Sequence, residues 1–191
     1  METLALMTAA DGCDTPGEGS EILKLARAGD LGAFEQLMKQ HQRLVLGVAL
    51  RLLGRLEDAQ DASQEVFVRL YRNIRRLDDS RALRPWLYRT TVNVCRDIYR
   101  KRRPEVPLED ITAPAASWDE LASERRRILN ESLKILGEKE RAALVLREIE
   151  GLSTREVAAA LGTSEGTVRS HVFTARAKLA RFVANCTRRR I

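Results

Sequence analysis

"LSTREVAAALGTSEGTVRSHVFTARAKL", residues Leu152–Leu179, holds two helical patterns that meet at a Gly-Thr-Ser break. Ser153 and Glu156 have the spacing of a capping box, after which Val157, Ala158 and Leu161 face one side. Gly162 lets the chain turn sharply, because a residue without Cβ enters left-handed backbone geometry at no steric cost. Ser164 can cap the next helix, whose inner stripe is Val168, Val172, Ala175, Leu179 and Phe182. Two helices joined this way make a helix-turn-helix, and the second can lie in a DNA major groove. Its outer side would offer Ser164, Glu165, Gly166, Thr167, Arg169, Ser170, Phe173 and Arg176. Glutamate accepts from a cytosine amino group and arginine donates twice to guanine, so these residue types suit base readout. The rival reading is a helical hairpin with a solvated charged face. Capping box, glycine turn and basic outer face coincide, which favours DNA.

Charge distribution extends the argument. The 191 residues carry 33 Lys plus Arg against 27 Asp plus Glu, a net +6. Residues 1–19 hold a net −4, residues 20–103 +8, residues 104–124 −6 and residues 125–191 +8. Two basic blocks thus flank an acidic connector, and a basic balance suits a nucleic-acid partner.

Apolar residues recur at helical spacing through both blocks, no stretch shows convincing strand alternation, and no internal repeat is visible. The expected fold is all-α: a flexible tail over 1–19, a helical domain over 20–103, a linker over 104–124 and a helix-turn-helix domain over 125–191. Ser20 can cap a short helix through Ala28, and Asp30 a longer one that ends before Gly54. A third helix runs from Leu56 to Ile74, with Ala59, Ala62, Val66, Phe67 and Leu70 inside. It leaves Asp58, Asp61, Gln64 and Glu65 as an acidic stripe outside. "RRLDDSRALR" reads as a polar loop, and Pro85 as the first turn of a fourth helix, "PWLYRTTVNVCRDIYRKRR". Pro104, Pro107 and Pro114 discourage helix in the connector. Ser117 with Glu120 starts the second block, where helices are expected at about 118–136, 138–149, 153–161 and 164–184.

Several classes of function are disfavoured. Cys13, Cys95 and Cys186 are too few and too scattered for a disulfide framework or a CxxC zinc site, and His41 and His171 add no metal-ligand spacing. No metal or other cofactor is expected. The first basic residue is Lys24, so the charged start of a signal peptide is missing, and no apolar run approaches the roughly 18 residues of a membrane span. The expectation is a reduced, soluble, cytoplasmic protein. No nucleophile–base pair or phosphate-cradling glycine loop points to an enzyme.

Stretches in both basic blocks resemble a known family. "SEGTVRSHVFTARAKL" preceded by "LSTREVAAALG" looks like region four of extracytoplasmic-function (ECF) sigma factors, bacterial transcription initiation factors. "DAQDASQEVFVRLYRNI" resembles their region-two helix that docks on RNA polymerase, and "RPWLYRTTVNVCRDIYRKRR" the helix engaging the minus-ten element. The resemblance spans about Glu21 to Phe182. It implies core RNA polymerase and promoter DNA as partners, and a membrane-bound anti-sigma factor as restraint. It implies that the stripe Asp58, Asp61, Gln64 and Glu65 meets the polymerase clamp. It places capture of a flipped base in the loop Leu77–Leu83, through Asp78, Asp79, Ser80 and Arg81, with Asn93, Arg96 and Arg100 on duplex or phosphate. The linker would thread into the polymerase cleft. His171 and Thr174 stand where members often carry Arg, which implies weaker backbone anchoring. "SEGTVRSHV" alone also resembles LuxR-type regulators, so an autonomous regulator of that kind is the alternative.

Elements about 25 base pairs apart lie roughly 85 Å apart at about 3.4 Å per pair. The 21-residue connector over 104–124 reaches at most about 70 Å when extended. Two separate readers are therefore needed, with the domains themselves covering the rest.

Overall fold

A computed structural model describes residues 18–77, 80–101 and 131–188. All the regular elements among them are helical. The first block contains α1 (Glu18–Ala28), α2 (Leu31–Leu53), α3 (Leu56–Asn73) with a single 3-10 turn at Ile74–Arg76, and α4 (Ser80–Lys101). The second contains a helical end at 131–134, then α5 (Glu138–Leu144), α6 (Thr154–Leu161) and α7 (Glu165–Arg188). A π-helical turn, Val145–Ile149, continues α5.

Local chemistry sets the boundaries. The Asp30 carboxylate accepts from the Ala33 N–H at 2.9 Å and caps α2, and Gly54 closes that helix at φ 77°. Ser20 lies inside α1, which starts two residues earlier, at Glu18, so the capping role expected of Ser20 does not hold. The third helix ends one residue before the expected boundary and tightens into the 3-10 turn, a common way to finish a helix. The fourth departs most. It begins at Ser80 rather than Pro85, so Pro85 sits inside it as the sixth residue. A proline there sacrifices one hydrogen bond near an N-terminus whose first N–H groups lack intrahelical partners anyway, and Leu83 gains a place in the core at 3% exposure. Asp78, Asp79, the linker 104–124 and the Ser117–Glu120 capping box lie outside the described residues.

The first core lies between α2, α3 and α4. Leu37, Val45, Val48, Val66, Leu70 and Leu87 are buried there, each large aliphatic contributing about 1.5–3 kcal/mol. The expected inner stripe of α3 (Ala59, Ala62, Val66, Phe67, Leu70) is buried throughout. Trp86 packs partly buried against the core, as a residue at the start of an amphipathic helix should. Cys95 is buried in the core, and burial pushes its thiol up to about 12. The second core gathers Leu133, Leu146, Val157, Val168 and Ala175 around α5, α6 and α7. The two halves pack together through α4 and α6.

Candidate nucleic-acid interface

The helix-turn-helix forms as its residues dictate. The Ser153 hydroxyl accepts from the Glu156 N–H at 3.2 Å, and the Glu156 carboxylate accepts from the Ser153 N–H at 2.7 Å. Ser153, through its hydroxyl first and its N–H second, holds the Glu156 carboxyl below its ordinary value. Gly162 turns the chain at φ 64°, and the Ser164 hydroxyl accepts from the Thr167 N–H at 3.1 Å. Val168, Val172 and Ala175 bury the inner stripe, with Leu179 and Phe182 half-buried beyond them.

Of the expected outer residues, Thr167 is half-buried and the rest face outward. Glu165, Gly166, Arg169, Ser170, Phe173 and Arg176 are exposed, Phe173 at 76%. A phenyl ring this open on the outer side of a helix is chemically suited to an apolar partner such as a thymine methyl. Two of the charged residues already have partners: Arg169 lies 3.6 Å from Glu165 one turn back, and Arg176 donates to Glu148 at 2.7 Å. Lys178 donates to Glu140 at 2.7 Å, which pins α7 to α5 and, with the Gly137 N–H, lowers the Glu140 carboxyl.

The minus-ten set is divided. Asn93 and Arg96 are half-buried and Arg100 is exposed, all on one face of α4. Backbone geometry puts Ser80 and Arg81 in the first turn of α4 rather than in a loop, so the expected capture loop 77–83 is mostly helix. Helix extends this far back because Leu83 has a core position to fill. The face bearing Asn93, Arg96 and Arg100 turns toward the helix-turn-helix half. Arg96 and Arg100 share a cavity of ≈ 340 Å³ with Glu138, Lys139, Gly162 and His171.

The acidic stripe on α3 is narrower than its four residues suggest. Asp61 and Gln64 are exposed, Asp58 is half-buried, and Glu65 is held at 2.7 Å by Arg69. Asp61 and Gln64 form one bank of a groove of ≈ 950 Å³ between α2 and α3. Phe34, Met38, Leu46, Phe67, Val68 and Tyr71 give the groove an apolar lining, and the rings of Phe34 and Tyr71 meet edge to face at 5.1 Å. The helical periodicity marks Phe34, Met38 and Phe67 of this lining as core. A residue half on the core and half on solvent looks the same in a pattern, so the groove escapes sequence reasoning. Among the described residues no His, Cys, Asp and Glu cluster could hold a metal ion.

Residues 37–105 match the family described as Sigma-70 region 2, and residues 121–179 match Sigma-70, region 4. The chain is 38% identical over 168 residues to the ECF RNA polymerase sigma factor SigM of Mycobacterium tuberculosis, covering 86% of this chain and 84% of that one. This chain belongs to the ECF sigma factors. Its fold agrees: the solved structure of CnrH in complex with the cytosolic domain of CnrY superposes with a TM-score of 0.66. That match is at 30% identity and covers 86% of this chain and 96% of CnrH. The sigma factor RpoE of Bartonella quintana, solved with the anti-sigma factor NepR, shares the fold at a TM-score of 0.65 and 22% identity. It covers 79% of this chain and 96% of RpoE. The region-two match sets aside the LuxR-type alternative, since a helix-turn-helix alone would leave residues 37–105 unmatched. Sigma factors bind core RNA polymerase and promoter DNA to initiate transcription, and this ECF sigma factor is an initiation factor rather than a member of an enzyme family. No described helix is long and apolar enough to cross a membrane.

Proposed function

We propose that this sigma factor divides its task between its two helical blocks. Residues 20–103 dock on core polymerase and engage the minus-ten element, residues 125–191 read the minus-thirty-five element, and residues 104–124 connect them. The observation that carries this division is the pairing of two different surfaces in one chain. One is an apolar groove with an acidic bank on α3, unsuited to DNA; the other is an outward-facing helix with the Glu165–Arg169 pair and Phe173 exposed on its surface.

The groove suits a protein partner. Its apolar lining supplies buried area, and Asp61 and Gln64 select a basic or hydrogen-bonding helix on the polymerase clamp. Bases of the minus-thirty-five element meet Ser164, Glu165, Gly166, Thr167, Arg169, Ser170 and Phe173, with Arg176 on phosphate. Asn93, Arg96 and Arg100 of α4, with Asp78, Asp79, Ser80 and Arg81 before them, handle the minus-ten element. A membrane-bound anti-sigma factor that competes for the α3 groove completes the reading, and the protein works in the cytoplasm. The CnrH and RpoE structures, each holding a second polypeptide, support such a partner.

Charge reversal tests the docking surface. Asp61→Lys should weaken core-polymerase binding at least tenfold in equilibrium titration at moderate salt, while the helical signal in circular dichroism stays unchanged. Wild-type affinity in that variant would remove the groove from the docking surface.

A further inference from the structure

The chain's own helix-turn-helix half meets the face of α4 assigned to the minus-ten element at Arg96, while Arg100 on the same face stays exposed. Arg96 Nε donates to Glu138 Oε1 at 3.2 Å, between residues 42 positions apart. Glu150 is gripped twice from the first block: Arg51 donates to Oε1 at 3.2 Å and the Tyr88 hydroxyl donates to Oε2 at 3.1 Å. Arg141 crosses in the other direction and donates to the Leu52 carbonyl at the end of α2, at 2.7 Å. Between these contacts Trp86 and Arg89 of α4 lie opposite Leu152 and Ala160 of the second block.

We propose that Glu138 and Glu150 form a latch that holds this sigma factor closed on itself and masks its minus-ten reader, while the minus-thirty-five reader stays open. A carboxylate pairs with a guanidinium as a phosphate oxygen does, so Glu138 occupies on Arg96 the place that promoter DNA would take. The masking is one-sided. Arg96 keeps 29% side-chain exposure, whereas Arg169 keeps 66% and faces solvent. The closed chain can therefore touch a minus-thirty-five duplex first. Two elements roughly 85 Å apart cannot both be read while α4 rests on α6, so engaging the second requires the latch to part. The partly exposed ion pairs are screened by salt and give way to competing phosphates.

This inference rests on the assignment of α4 to DNA, and the experiment separates the two. Small-angle scattering of the full chain should show a compact wild type and a larger radius of gyration for Glu138→Gln/Glu150→Gln. Glu138→Arg should open the chain as well, and adding Arg96→Glu should close it again. The double glutamine variant should bind a mixed-sequence single strand of about a dozen nucleotides roughly tenfold tighter than wild type, because a closed fraction lowers apparent affinity in proportion. The control Glu21→Gln/Glu57→Gln removes the same charge from exposed sites and should bind like wild type. An unchanged radius in every latch variant, or no reclosing by the charge swap, overturns the latch. Opening without tighter single-strand binding overturns the masking role, and unchanged single-strand affinity in Arg96→Ala/Arg100→Ala overturns the assignment of α4 to DNA.

Discussion

Arg141 shows how much one side chain can hold in this molecule. Its guanidinium donates to the Leu52 carbonyl and also to Leu136 at 3.2 Å and Lys134 at 3.3 Å. Two of these carbonyls belong to turns of the second block, and one ends α2 of the first, where the last carbonyls of a helix lack intrahelical partners. Burial lowers its pKa from the ordinary arginine value, yet an arginine stays charged across the physiological range. Hydrogen bonds from a charged donor are worth about 1.5–3 kcal/mol, so Arg141→Ala should destabilise the chain by about that much in urea unfolding. Lysine, a point charge without the fork, should recover less than half of the loss. The recognition residues obey different rules. Arg169→Ala and Glu165→Ala should re-rank minus-thirty-five variants, at about 1–3 kcal/mol per base contact, whereas Arg176→Ala should weaken all of them evenly. A selection from randomised duplexes checks both. Their outward placement follows from the helical repeat and is legible in the sequence. The partners of Glu138 and Glu150 are not, since nothing in local spacing names residues 42 or 99 positions away.

At the scale of elements, the helix-turn-helix is legible almost residue by residue because each of its signals is local: Ser153 with Glu156, Gly162, then Ser164. The start of α4 is not, because Pro85 carries a strong local message that tertiary packing of Leu83 overrides. The groove between α2 and α3 is missed for another reason: it belongs to two helices at once, and periodicity describes one helix at a time. The second block should contribute acid sensitivity to the fold. Glu140 and Glu156 both have carboxyls lowered from 4.5 in the folded chain, through Lys178 and Ser153 respectively. A lowered carboxylate stabilises the fold fully above its unfolded value and loses that contribution as pH falls through the folded value. The melting temperature should therefore drop as pH falls below about 4.5, and Glu140→Gln should flatten that dependence. A variant with wild-type pH dependence would remove the Glu140–Lys178 pair from the account.

At the scale of the whole molecule, an all-α fold in two blocks is readable from charge and periodicity, but their closure is not. Helical spacing fixes which side of α4 is apolar; it leaves open whether the basic side meets DNA or the chain's own acids. In the proposed latch the closed arrangement and the open one share the same cations, Arg96 foremost, so restraint and promoter binding would compete for one side chain. Initiation itself is the central claim. Core RNA polymerase should be given genomic fragments from the source organism, with and without this chain, and the 5′ ends of the run-off transcripts mapped. Discrete start sites should appear only with the chain and disappear with the Asp61→Lys variant. Identical transcripts with and without the chain would contradict it.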